Sequence, residues 1–239
     1  MHSSFIEKVI KEISVKELAK MIDHTILKPN ATLNDVRKVC DETLKYGFAA
    51  AVIPPVYVKC IAEEYRDCKI ATVVGFPLGF QSLYVKKKEA EEAISNGVSE
   101  IDMVMNISAF KTGNREYVLN EIAEIVDIAK SMGNVVVKVI IETGYLSDEE
   151  IIEASEIVAN ARADYVKSCT GFGPRGVTVH DVRLMYNAVK GKIGVKAAGG
   201  IRHAEDAIAM IAAGASRIGT SSGVRIIEEY KKLKETLES

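Results

Sequence analysis

The feature that most constrains the fold of this chain is an alternation of short apolar runs with longer amphipathic stretches. Seven apolar runs, rich in β-branched residues, are well defined: Phe48–Ile53, Ile70–Phe76, Ile101–Met105, Val135–Glu142, Tyr165–Cys169, Ile193–Ala197 and Arg217–Gly219. The stretches between them place apolar residues three and four positions apart, as in Ile122, Ile125, Val126 and Ala129. Strands that alternate with helices in this way indicate βαβ units and a parallel sheet.

Helix signals lie between and after these runs. Helices are predicted over Val85–Ser95, Glu116–Met132, Asp148–Ala161, Val179–Val189, Ala204–Ala213 and Arg225–Ser239. Ser147 is placed to cap one of them, and the acidic residues after it suit the positive end of the helix dipole. A left-handed residue commonly ends a helix, and glycines stand at such positions at Gly97, Gly133, Gly191 and Gly214.

The number of repeats predicts a closed barrel. An eighth, short strand is predicted at Ile22–Leu27, before Pro29. Eight βα units in 239 residues indicate a (β/α)8 TIM barrel, which often reaches this length as one domain. An open doubly wound sheet is the alternative, although no GxGxxG motif opens a helix after the first strand. We therefore expect a single barrel domain over residues 1–239, with residues 1–20 as an extra amphipathic N-terminal helix.

The charge balance limits the classes of binding partner that the sequence indicates. Its 31 Lys and Arg residues against 33 Asp and Glu residues give a net charge of -2. The chain has no excess of basic residues, so its charge does not indicate a nucleic-acid or membrane partner. The basic run Lys86–Lys88 is interpreted as the solvated start of a helix. No uninterrupted apolar run approaches the ~18 residues of a membrane span, and no signal peptide is visible.

The cysteines and histidines give no sign of a metal centre. The four cysteines are Cys40, Cys60, Cys68 and Cys169. They show neither CxxC spacing nor a nearby histidine cluster, so a disulfide framework and a zinc site are not expected. Reduced thiols are typical of a cytoplasmic protein, which is the localisation we expect. His24 and His180 lie in no arrangement of nucleophile and base, and we expect them to make local hydrogen bonds.

Charged residues stand inside strands that should be apolar on both faces. They are Asp102, Lys138, Lys167 and Lys196. Burying an isolated charge costs several kcal/mol, so one explanation is a structural ion-pair network without chemistry. The convergence of three lysines on the barrel mouth, where active sites of this fold lie, favours a catalytic role. We assign Lys138 a supporting role in the site, paired with Asp102, and consider Glu142 a further member of the network.

Crowded lysines have a chemical consequence. A neighbouring ammonium group disfavours protonation of the other amine, so one pKa falls toward neutrality. A free amine attacks carbonyl groups to form a Schiff base, whose protonated form withdraws electrons from the adjacent carbon. Proton transfer then requires an acid and a base, which Asp102 and a second lysine can supply.

Glycine-rich turns follow the last predicted strands, at Thr170–Gly173, Ala198–Gly200 and Gly219–Gly223. Such turns present backbone N–H groups, and the last two precede helix N-termini that favour an anion. Phosphate sites of this fold commonly form after strands seven and eight. The sequence therefore predicts a small phosphorylated substrate.

These motifs, taken together, resemble the deoxyribose-phosphate aldolase family over residues 22–228. The matching segments are Ile22–Pro29, Thr72–Gly79, Glu100–Val104, Lys138–Thr143, Val166–Phe172 and Val195–Gly200. The resemblance implies a class I aldolase that reversibly cleaves 2-deoxy-D-ribose 5-phosphate to acetaldehyde and D-glyceraldehyde 3-phosphate. It implies no metal and no organic cofactor, and a homodimer or homotetramer.

The resemblance also implies roles for individual residues. Lys167 resembles the lysine that forms the imine. Lys196 resembles the neighbouring lysine that favours a free amine and exchanges protons, and Asp102 resembles the other proton donor and acceptor. Asp23 and Thr25 resemble residues that orient the site and the substrate hydroxyls. The phosphate site implied by the resemblance consists of Gly171, Gly199, Gly200, Ser221 and Ser222.

Three positions depart from the family pattern. Val52 stands where some relatives have a reactive cysteine, Phe172 where some have a lysine, and Cys169 where serine is more usual. The charge that faces the phosphate must then come from another side chain or from backbone amides.

Two other functions stay open: a different lysine-imine enzyme, such as a transaldolase-like enzyme or a dehydratase, and a non-catalytic sugar-phosphate binder.

Overall fold

A computed structural model describes residues 9–238, in which eight parallel strands close into a barrel. The strands are β1 (Ile22–Thr25), β2 (Ala50–Val52), β3 (Ile70–Val74), β4 (Glu100–Val104), β5 (Val136–Ile140), β6 (Tyr165–Lys167), β7 (Gly194–Ala198) and β8 (Arg217–Thr220). Each strand pairs with the next along the chain, and β8 pairs with β1. The predicted (β/α)8 barrel is confirmed, and the open doubly wound alternative is wrong.

Helices follow the strands and surround the barrel. They are α1 (Val15–Ala19), α2 (Leu33–Tyr46), α3 (Val58–Glu64), α4 (Leu83–Ser95), α5 (Ile107–Lys111), α6 (Arg115–Gly133), α7 (Asp148–Asn160), α8 (Val179–Val189), α9 (Ala204–Ala212) and α10 (Gly223–Glu238). Single 3-10 turns lie at Pro55–Tyr57 and Thr143–Tyr145. No helix among the described residues is both long and apolar enough to cross a lipid bilayer.

One predicted helix cap lies one residue further along the chain. Gly133 is the last residue of α6, and the left-handed cap is Asn134, with φ of 50°. Asparagine tolerates this conformation better than most side chains, so the helix can continue through the glycine.

The N-terminal segment differs from the single helix predicted over residues 1–20. Residues 1–8 lie outside the described residues, so that part stays a prediction. Residues 9–12 are helical, but the helix stops before Ser14 and α1 begins after it. Ser14 and Glu17 exchange side-chain-to-backbone hydrogen bonds in a capping box, which starts a new helix at this point. Tyr230 and Lys234 of α10 donate hydrogen bonds to the carbonyl of Ile13, at 2.8 and 3.0 Å.

The basic run at the start of α4 is only partly solvated, so this interpretation was wrong for Lys86. Lys86 is fully buried, its Nζ lies 2.9 Å from the carboxylate of Glu121, and it donates to the carbonyl of Val104. The stem of Lys86 passes Gly75, where any side chain would collide with it. Burial lowers the pKa of Lys86, and burial raises the pKa of Glu121. Lys88, by contrast, is exposed.

Candidate active site

Strand register brings the charged strand residues together. Asp102 on β4 lies opposite Lys138 on β5, and Lys167 on β6 lies opposite Lys196 on β7. All four are buried, and the strand residues around them are apolar. Because these strands are neighbours in one closed barrel, four charged side chains share its interior.

Asp102 is the centre of this group. Its Oδ1 accepts a hydrogen bond from Lys138 Nζ at 2.8 Å. Its Oδ2 accepts from Lys167 Nζ and from Lys196 Nζ, both at 2.6 Å. One carboxylate oxygen therefore joins the two lysines that the sequence assigned to imine formation and proton transfer, and a proton can pass between them through it.

A second layer of charge lies below Asp102, and two of its members were not predicted. Asp23 Oδ2 lies 2.5 Å from Lys196 Nζ, and Asp23 Oδ1 accepts from Arg217 Nε at 2.8 Å. Glu100 lies 2.5 Å from Lys138 and 2.6 Å from Arg217. Glu100 precedes Asp102 by two positions, a spacing that puts both on one face of β4 and could have revealed it.

The connected cluster carries an excess of one positive charge. It contains four basic and three acidic side chains: Lys138, Lys167, Lys196, Arg217, Asp23, Glu100 and Asp102. Loss of one proton from one of these lysines would make the cluster neutral overall. Within the part of the chain that the structure describes, Lys167 pairs with a single carboxylate, which it shares with two other lysines. This arrangement favours one unprotonated amine within the cluster.

The pKa shifts have opposite signs within the cluster. Burial alone would raise the pKa of Asp102, but Lys138, Lys167 and Lys196 outweigh it and hold this pKa well below the usual range. Burial lowers the pKa of Lys196 to about 8, against the opposing effect of Asp102 and Asp23. For Lys138, the surrounding carboxylates outweigh burial and raise the pKa. Lys138 therefore stays charged, while Lys196 can exchange a proton near neutral pH.

A cavity of about 560 Å³ opens above the cluster. Lys167 is the cluster lysine that lines it, together with these predicted site residues: Thr25, Gly171, Gly199, Gly200 and Ser221. Asp23, Asp102, Lys138 and Lys196 are buried beneath and do not line the cavity. Ser222 does not line it either, and its N–H donates to Thr220 Oγ1 at 2.9 Å.

The glycine-rich turns leave backbone donors unused at this cavity. Among residues 9–238, no hydrogen-bond acceptor is found for the N–H groups of Gly171, Gly199, Gly200 and Ser221. Gly199 and Gly200 have φ of 99° and 85°, a left-handed conformation that other residues rarely adopt. Unpaired N–H groups that converge on one cavity form an anion site.

Positive side chains also line the cavity. They can supply the charge that a lysine at the position of Phe172 would provide in some relatives. Lys28, Lys38 and Arg202 are among its lining residues. Phe172 packs edge-on against Phe76, with ring centroids 5.5 Å apart. Arg202 is two residues after Gly200 and lines the same cavity as Gly199 and Gly200.

Other residues considered from the sequence have local partners. His24 contacts Glu42 at 2.7 Å and His180 contacts Asp148 at 2.6 Å, as expected for local hydrogen bonds. Val52 packs in the barrel with Ala50 and Ala71.

Glu142 is not a member of the lysine cluster, so that interpretation was wrong. It follows β5 with φ of 53°, and its carboxylate accepts a hydrogen bond from the N–H of Thr170 at 3.1 Å. The turn in the backbone directs the side chain to the loop after β6 and away from the barrel interior.

Comparison with known proteins agrees with this geometry. The model of the DeoC/LacD family aldolases matches residues 17–229. The chain belongs to this aldolase family. A deoxyribose-phosphate aldolase of Caldanaerobacter subterraneus subsp. tengcongensis is 56% identical over 93% of this chain and 97% of its own length. One from Thermococcus gammatolerans is 54% identical over 89% of this chain and 96% of its own length.

Solved structures give the same family. A structure described as a unique tetrameric deoxyribose phosphate aldolase from Aeropyrum pernix superposes with a TM-score of 0.88 at 38% identity. The match covers 96% of this chain and 97% of that one. Because the chain belongs to an aldolase family, the buried cluster is an active-site candidate. Family membership favours this role over a structural ion-pair network without chemistry.

Imine formation should depend on pH through the cluster. The pKa of Lys196, about 8, implies that the rate of imine formation with acetaldehyde rises as pH increases through that value. In Lys196→Leu this titrating group is absent. We therefore expect the rise in rate centred near the Lys196 pKa of about 8 to be lost. The measurement is the initial rate of reductive trapping by cyanoborohydride across this range, and an unchanged midpoint would contradict the expectation.

Proposed function

We propose that this DeoC/LacD aldolase cleaves 2-deoxy-D-ribose 5-phosphate reversibly to acetaldehyde and D-glyceraldehyde 3-phosphate through an imine on Lys167. The observation that carries the proposal is the position of Lys167. Its amine lies at the floor of the cavity and pairs with a carboxylate shared by two further lysines. The names of the relatives support the same substrate.

The proposed cleavage uses the residues around Lys167. Its amine condenses with the aldehyde carbon of the open-chain sugar, and water leaves. The positively charged imine accepts the electron pair of the C2–C3 bond as the C3 hydroxyl loses its proton. Glyceraldehyde 3-phosphate departs and an enamine remains. Protonation of the enamine carbon and hydrolysis of the imine release acetaldehyde. Asp102 and Lys196 relay the protons, directly or through one water.

The other buried charges are proposed to support this chemistry. Lys138 neutralises and orients Asp102, and Asp23 holds Lys196 beside it. Thr25 lines the cavity and is proposed to orient the substrate hydroxyls. Its hydroxyl donates to the carbonyl of Asp23 at 2.9 Å, which leaves its lone pairs free to accept.

The free N–H groups are proposed to bind the phosphate, with Arg202 as a charged partner. In Arg202→Ala we expect KM for the phosphorylated sugar to rise about tenfold, the loss of roughly one charge-assisted hydrogen bond. KM for unphosphorylated 2-deoxyribose should stay within about twofold. Lys192→Ala, on the surface, is the matched control. Equal changes in KM for both sugars would argue against a phosphate contact.

Assembly and location are also proposals. We propose a homodimer or homotetramer, in line with the tetramer described for the Aeropyrum pernix relative. We propose the cytoplasm as the compartment, because the four cysteines, all within the described residues, form no disulfide. Light scattering of the purified protein tests the assembly.

The direct test of function is product analysis. Incubation with 2-deoxy-D-ribose 5-phosphate should release acetaldehyde and D-glyceraldehyde 3-phosphate in equal amounts. A different lysine-imine enzyme would form an adduct with another carbonyl substrate and leave deoxyribose phosphate intact. A non-catalytic binder would bind the sugar phosphate without products.

A further inference from the structure

Glu142 is a buried carboxylate that the proposed mechanism does not use. Its side chain is 2% exposed, and none of the ion pairs formed within residues 9–238 includes it. Burying a carboxylate without a cationic partner is unfavourable, so the hydrogen bonds that it accepts must hold it in place. Those bonds lead to the wall of the cavity.

The carboxylate of Glu142 organises the loop after β6. Its Oε2 accepts hydrogen bonds from both the N–H and the hydroxyl of Thr170. The Thr170 hydroxyl oxygen in turn accepts from the N–H of Phe172 at 3.0 Å. The N–H groups on either side of Gly171 are thus satisfied within the protein, whereas the N–H of Gly171 has no acceptor among residues 9–238.

The local backbone is built around this contact. Glu142 has φ of 53° and ψ of 68°, a left-handed conformation in which a non-glycine residue persists only when its surroundings hold it. A side chain at Gly173 would approach Glu142 Oε1 to 2.6 Å, so only glycine fits there. Strained backbone of this kind is concentrated at functional sites.

We propose that Glu142 is a positioning residue that fixes the loop after β6 so that the N–H of Gly171 is available to the phosphate of the substrate. Thr170, Gly171 and Phe172 all line the cavity, three to five residues after Lys167. The inference rests on the proposed function, because it assigns this loop to the phosphate. It gives Glu142 a part in substrate affinity and no part in proton transfer.

Two variants test this role. Glu142→Gln keeps the shape but weakens the acceptor, and Thr170→Val keeps the volume but removes the hydroxyl. For both we expect KM for 2-deoxyribose 5-phosphate to rise about tenfold, the scale on which misplaced substrate-orienting groups act. The kcat/KM for unphosphorylated 2-deoxyribose should change by less than about twofold. Reductive trapping of acetaldehyde on Lys167 should be unchanged, as in the surface control Glu116→Gln.

Binding of inorganic phosphate separates this inference from the proposed function. Calorimetry should show weaker phosphate binding to both variants than to the wild-type protein, whether or not deoxyribose phosphate is cleaved. A wild-type protein that binds phosphate but cleaves no sugar would overturn the function and leave the role of Glu142 standing. Phosphate affinities equal to wild type, or equal losses with both sugars, would overturn the inference.

Discussion

Replacement of Lys167 by alanine should abolish cleavage of deoxyribose phosphate, with a fall in kcat/KM of at least about 10⁴-fold, because loss of a covalent nucleophile has effects on this scale. Lys167 is the cluster lysine that lines the cavity, so no other amine of the cluster can take its place. The comparison is made from progress curves with the same sugar phosphate, and Lys192→Ala serves as the surface control.

The same variant should keep its fold. Removal of Lys167 leaves Asp102 paired with Lys138 and Lys196. It also removes the one excess positive charge of the cluster, so like-charge repulsion decreases. We expect the midpoint of thermal unfolding to stay equal to that of the wild type or to rise. A variant that folds normally and still turns over at the wild-type rate would contradict the assignment of the imine to Lys167.

Replacement of Asp102 by leucine should reduce both activity and stability. Its carboxylate contacts three lysine ammonium groups, and Lys167 has no other carboxylate partner among residues 9–238. Removing one partner of a buried ion pair costs about 3–5 kcal/mol in the free energy of unfolding, since the remaining charge stays buried. Loss of the proton relay should lower kcat by about 10²- to 10⁴-fold.

The stability loss in Asp102→Leu should depend on pH. Part of the penalty arises from the buried ammonium group of Lys196, whose pKa in the folded state, about 8, lies below that of the unfolded chain. Such a penalty is complete below the folded pKa and decreases as pH rises toward the unfolded value, because the unfolded state then binds more protons. Urea unfolding at neutral and at alkaline pH measures this. A leucine variant with unchanged stability and turnover would contradict the central place of Asp102.

Sequence patterns were sufficient for the barrel because the apolar runs repeat at a period that only βαβ units satisfy. Charged residues inside those runs, such as Asp102, Lys167 and Lys196, marked the site for the same reason. Strand ends were predicted too late in several places. The run Val135–Glu142 continues past Ile140, where β5 ends, since apolar loop residues are also buried at the barrel mouth.

Contacts between residues on opposite sides of the barrel could not be predicted from the sequence. Arg217 and Glu100 stand at strand starts, where charged residues are usually solvated, and only closure of the barrel brings them together at 2.6 Å. Lys86 looked like a surface residue because its buried partner, Glu121, is far away along the chain. Glu142 was placed in the lysine cluster because a regular strand would have pointed it there, but its left-handed backbone does not.

Covalent trapping determines whether Lys167 forms the imine. The protein is incubated with acetaldehyde, reduced with sodium borohydride, digested and mapped by mass spectrometry. We expect a two-carbon adduct on Lys167 and none on Lys138 or Lys196, which do not line the cavity. No adduct, or adducts scattered over surface lysines, would contradict the imine mechanism and favour a sugar-phosphate binder.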